Sequence, residues 1–166
     1  MSILNIPDVH VSPAGDVADE LAEPPEPERR AVLDRFAAAI ENADASTLAQ
    51  LLTEDAVLEM PPMLSWFAGR QVVARVTEQY LFTAPGRLRL VRVMANGQPA
   101  LAIYQLEPDG AYYAHAVLVP TVAQTGIARM VSFVNPDLFG SFGLPHTYQG
   151  GELMPARSPA VSPWVG

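Results

Sequence analysis

Between residues 28 and 42, apolar side chains recur at helical spacing. Val32, Leu33, Phe36 and Ile40 share one stripe, which predicts an amphipathic helix. Pro27 suits a first helical position, and Glu26 and Glu28 suit the positive end of the helix dipole. Asp44 reads as the N-cap of a short second helix over 46–52, with Leu48, Leu51 and Leu52 buried. The period then falls to two. Ala56, Leu58 and Met60 lie on one face of a strand, and Val57, Glu59 and Pro61 on the other. Pro61-Pro62 ends that strand, because proline cannot donate to a ladder. An apolar loop carrying Met63, Leu64, Trp66 and Phe67 follows, and Gly69 closes it. A third helix is predicted over 70–82, with Val72, Val73, Val76 and Tyr80 facing inward.

Past Pro85-Gly86 the period of two returns and persists. It predicts four strands, over 88–94, 100–106, 112–121 and 127–134. Asn96-Gly97, Pro108-Asp109-Gly110 and Gln124-Thr125-Gly126 separate them, and such short turns imply an antiparallel meander. A short helix over 136–142 ends at Gly143. The result is an α+β domain: a curved antiparallel sheet wrapped around N-terminal helices, leaving a cone-shaped cavity. The open face of the meander would carry Leu101, Ile103, Leu118, Val131 and Phe133. That is too apolar for a solvent surface and predicts a homodimer.

No periodicity survives at the flanks, so three regions are expected: an acidic, proline-containing arm over 1–27, the domain over 28–145, and a proline-containing tail over 146–166. Within the arm, Ile3-Leu4-Asn5-Ile6 could dock as an edge strand or a plug, or simply belong to a flexible tail. The net charge of −8 belongs to this arm. Residues 1–28 hold seven carboxylates and no Lys or Arg, whereas 29–144 hold ten acids and nine arginines. Arg87, Arg89 and Arg92 are split between two strand faces and make no clustered basic surface, so no nucleic-acid partner is expected.

The remaining composition is that of an ordinary globular chain, 49% hydrophobic and 17% charged. There is no apolar run long enough for a bilayer and no secretory pattern, so no membrane contact and a cytoplasmic location are expected. The absence of cysteine excludes a disulfide framework and thiolate metal sites. His10, His115 and His146 are too scattered for a metal expectation. The phosphate-binding glycine motifs are absent, so no nucleotide cofactor is implied.

Glu59 and His115 are the candidate catalytic residues. A carboxyl group in an apolar pocket has its pKa raised by desolvation, which tunes it for proton transfer. Glu59 could instead point to water, or be a structural carboxylate held by backbone N–H groups or by Arg70. His115 alternates with Tyr113 and Val117. It could shuttle a proton with Glu59 or be a core histidine satisfied by a carbonyl. Tyr104 could donate to a substrate oxygen, although Tyr104, Tyr113 and Trp66 also suit a core.

The order of elements, with the segments EDAVLEMPP, SWFAGR, ANGQPALAIY, YAHAV and GIARMVSFVNPDLFGSFGLP, resembles the SnoaL-like group of the nuclear-transport-factor-2-like superfamily over about residues 28–145. Within that group it most resembles the C-terminal SnoaL-like domain appended to certain extracytoplasmic-function sigma factors. Residues 1–28 are too short and too acidic for DNA-binding regions, so a stand-alone version is expected. Limonene-type epoxide hydrolases share a similar pattern over 55–70. Their catalytic arginine and aspartates would fall at Ala100, Ala102 and Ser132, which excludes that chemistry by that route.

The resemblance implies a cavity lined by Val57, Glu59, Gln98, Ala100, Ala102, Tyr104, Tyr113, His115, Val117, Val119, Met130, Ser132 and Val134, with Trp66 and Phe67 at its mouth. It implies a cofactor-independent cyclase or isomerase acting on an apolar, oxygenated, polyketide-like small molecule, with Glu59 and His115 as the acid/base pair. The alternative is a non-catalytic ligand-binding or regulatory module related to the sigma-factor domains.

Overall fold

The computed structural model describes residues 23–81 and 84–149. The expectation for Ile3-Leu4-Asn5-Ile6, and nearly all of both flanks, lies outside the described residues. The elements run α1 (Glu26–Glu41), α2 (Ala45–Leu51), β1 (Leu52–Glu59), β2 (Trp66–Ala68), α3 (Arg70–Leu81), β3 (Leu88–Ala95), β4 (Gln98–Leu106), β5 (Ala111–Ala123), β6 (Gly126–Phe133), a 3-10 turn (Pro136–Phe142) and β7 (Thr147–Gln149). None of the described helices is long and apolar enough to cross a membrane.

The α+β expectation holds. Strands β3 to β6 form the predicted antiparallel meander, and the full sheet has the order β2-β1-β6-β5-β4-β3, with β7 paired to β5. Because β1 joins β6 in parallel, the sheet is mixed. Two stretches read as irregular are strands. Trp66–Ala68 pairs with the end of β1, and Thr147–Gln149, at the start of the expected tail, pairs with Ala111–Tyr113.

Local chemistry sets the boundaries. The Asp44 side chain accepts from the Thr47 N–H and hydroxyl, capping α2 as its sequence promised. In α3 the inward stripe differs from expectation: Val73 and Thr77 are buried, while Val72 and Tyr80 are largely exposed. Thr77 can be buried because its hydroxyl donates to the Val73 carbonyl, which satisfies it within the helix.

The sheet has two distinct faces. On one, Leu101, Ile103, Leu118 and Met130 pack with Leu33, Phe36 and Ile40 of α1 and Val73 of α3. On the other, Ala100, Ala102, Tyr104 and Val117 pack with Phe139 and Leu144. This removes three of the five residues of the expected dimer surface. Leu101, Ile103 and Leu118 belong to the interior beneath the helices and are not an open face. The opposite face is covered in part by the 3-10 turn, where the Tyr104 and Phe139 rings meet edge to face at 4.9 Å.

Candidate functional site

A cavity of about 220 Å³ opens between α1, α3 and the inner face of β1, β5 and β6. Phe36 and Ile40 come from α1, and Val76, Thr77, Tyr80 and Leu81 from α3. Leu58 comes from β1, with Met60 and Met63 just beyond it. The sheet adds His115, Leu118, Met130 and Ser132, and Val134 follows β6. The wall is largely hydrocarbon and sulfur, with few polar groups, as in small-molecule sites generally.

His115 enters this cavity through a backbone irregularity. Ile103 pairs with Ala116 and Tyr104 with Ala114, leaving His115 as the extra residue of a β-bulge. Bulges re-aim side chains and frequently flank functional sites. Burial pulls the His115 pKa below its ordinary value of 6.5, and the negative charge of Glu107 opposes that only in part. The ring is therefore neutral at pH 7, with one donor and one acceptor nitrogen.

The structure brings together His115, Met130, Ser132 and Val134 from the predicted set. It does not bring Glu59 to them. In β1, Leu58 lines the cavity, so alternation turns Glu59 to the opposite face. There its carboxylate accepts from Arg129 Nε at 3.2 Å and Nη2 at 2.7 Å. Arg129, not Arg70, holds Glu59. The Arg70 Nε donates to the Leu52 carbonyl instead.

The other predicted contacts are also distributed elsewhere. Trp66 pairs across β2 with Glu59 and is largely exposed. Phe67 pairs with Leu58 and packs against the helix-side core. Tyr104 is buried on the far face, its hydroxyl donating to the Pro145 carbonyl at 2.7 Å. Val117 lies in the same far-side cluster. Tyr113 is exposed, and its hydroxyl donates to Asp109 at 2.6 Å. Each shifts the other: the Tyr113 bond holds the Asp109 carboxyl below its usual range, and Asp109 raises the Tyr113 phenol. Gln98 is exposed and borders a separate cleft with Glu23, Arg29 and Thr121.

Leu58, Met60, Met63, Leu118 and the α1 and α3 side chains were missed as lining residues. A signal for them existed. The face Ala56, Leu58, Met60 is wholly apolar, whereas its opposite carries Glu59, which already favours the first as the inner face.

Residues 33–135 match the SnoaL-like domain family. The chain belongs to the SnoaL-like family. Among curated proteins, this SnoaL-like chain is 37% identical over 129 residues to the ECF RNA polymerase sigma factor SigG of Mycobacterium tuberculosis, an alignment covering 77% of the chain. It spans about a third of that relative, 35% of its length. Among solved structures, a candidate ketosteroid isomerase from Kribbella flavida aligns with a TM-score of 0.51 and 22% identity, covering 79% of this chain and 90% of that one. A nuclear-transport-factor-2-like protein of unknown function from Burkholderia xenovorans aligns with a TM-score of 0.53 and 13% identity, covering 64% and 81%. These two likenesses concern the fold alone.

Proposed function

We propose that this chain is a ligand-binding module that takes a small, largely apolar molecule into the cavity between α1, α3 and the sheet, with a regulatory rather than a catalytic output. The observation that carries this reading is the makeup of the cavity: about 220 Å³, walled mainly by apolar side chains, with one imidazole among the described residues. A carboxylate–imidazole acid/base pair would need an acid beside His115. Glu59 is turned away and held by Arg129. The likeness to an RNA polymerase sigma factor supports a regulatory output.

A second reading rests on the bulge that aims His115 inward. A neutral imidazole in an apolar cavity can act alone as a general base, so a cofactor-independent isomerase or cyclase using His115 remains compatible with the site. The catalytic pairing of Glu59 with His115 draws no support from the geometry.

The test uses Nile red, a fluorescent apolar probe, with the full chain. Saturable binding is expected, and Met130→Trp, which fills the cavity from its floor, should weaken it at least about tenfold while the protein still melts cooperatively. Unchanged binding in that variant would move the site elsewhere. Recovery of the bound natural molecule chemically unaltered after prolonged incubation favours the binding module, and its conversion favours the isomerase.

A further inference from the structure

Among the described residues, no Lys, Arg, Asp or Glu side chain lines the cavity wall. Two arginines from the surrounding elements are held elsewhere. Arg129, on β6 beside Met130, pairs with Glu59 on the opposite face of the sheet. Arg70 is bound to the Leu52 carbonyl. Among the described residues, a ligand entering this space therefore meets no counter-charge.

Besides Tyr80, which is largely exposed, the polar side chains it meets are those of Thr77, His115 and Ser132, and their hydrogen-bonding capacity can be specified. The Thr77 hydroxyl already donates to Val73, so it can only accept. Neither the His115 ring nor the Ser132 hydroxyl has a side-chain hydrogen bond to any described residue. Together they offer donors and acceptors, which suits a hydroxyl or a carbonyl oxygen equally well. The charged group that acts on the His115 ring is Glu107, which is itself an acid.

On the reading that the cavity binds a small molecule, we propose that its ligand is electroneutral: a largely hydrocarbon molecule whose hydroxyl or carbonyl is held by His115 and Ser132, with the matching carboxylic acid rejected. The physical cause is desolvation. Burying an ionised carboxylate without a cation costs far more than burying an alcohol or ketone that keeps its hydrogen bonds. Protonating His115 could supply the missing charge, but burial of the ring opposes it.

Displacement of Nile red from the full chain at pH 7.5 by decanol, 2-decanone and decanoate tests this directly. The three share a chain length and differ in the polar end. Decanol and 2-decanone should displace the dye, and decanoate should need at least about tenfold more. Decanoate displacing as well as decanol would overturn the neutrality assignment and leave the cavity as a binding site. Failure of all three against a bound dye would also overturn the proposed class. Failure of Nile red itself to bind would remove the binding reading beneath it.

Val134→Lys supplies a second arm, because Val134 lines the cavity yet is 39% exposed, where a lysine stem can reach inward without disrupting the core. That variant should narrow the gap between decanol and decanoate. An unchanged gap would show that missing counter-charge is not its cause.

Discussion

Single residues separate chemistry from scaffolding in this cavity. Glu59 and Arg129 form a bidentate ion pair with side chains 37% and 52% exposed. Exposed pairs of this kind contribute about 0–1 kcal/mol. Glu59→Gln is therefore expected to lower stability by no more than about 1 kcal/mol in a urea titration and to leave Nile red binding unchanged. A large loss of binding in that variant would return Glu59 to the site. His115 has the opposite signature. Its folded pKa is depressed, so the unfolded chain takes up a proton first as the pH falls. The neutral ring's contribution is intact above about pH 6.5 and is lost as the pH drops through the folded pKa. The thermal midpoint should decline below pH 6.5 in the wild type and decline less in His115→Gln. Parallel declines would remove the buried neutral imidazole from the account. The carboxyls of Asp44 and Asp109 are also shifted downward, which places their titration at lower pH and outside this window.

At the scale of elements, the cavity depends on how β1 and β6 meet. Gly126 begins β6 with φ +138, and a Cβ there would lie 2.4 Å from the Leu51 carbonyl oxygen. Neither the backbone conformation nor the space admits a side chain. Gly126→Ala should cost roughly 1–3 kcal/mol of unfolding free energy, because it combines strain with displacement of the α2–β1 junction. An unaltered urea midpoint would show that this contact yields freely. Tyr104 ties the far face of the sheet to the chain after the 3-10 turn through its bond to Pro145. Tyr104→Phe keeps the ring contact with Phe139 and removes the bond to Pro145, so a loss of about 1 kcal/mol is expected, with Nile red binding retained. Tyr104 acting as a ligand contact would instead appear as weakened binding.

Across the whole molecule, the fold was legible because its signals are local and repeated. The change of period at Pro85-Gly86, the turn residues between strands and the Asp44 cap each have one common structural meaning, and each holds. What alternation could not supply was which face of each strand points inward, since a period of two defines two faces and labels neither. The family alignment chose the face of Glu59, Ala100 and Tyr104, one residue out of phase with the cavity on β1 and with the helix-side core on β4. A bulge is invisible to alternation, which is why His115 reaches the cavity although Val117, two residues on, lies on the far side. Short polar sequences that bury through one internal bond, such as Thr77, are equally hard to read from hydropathy.

The central claim is that a small molecule binds between α1, α3 and the inner face of β1, β5 and β6, and methionine positions give the most direct measurement. The chain has six methionines, of which Met60, Met63 and Met130 line the cavity and Met94 on β3 does not. In methyl-labelled methionine NMR of the full chain titrated with decanol, the Met60, Met63 and Met130 resonances should move together with one saturating dissociation constant, and Met94 should stay fixed. Shifts confined to Met94, or none at saturating decanol, would contradict the account.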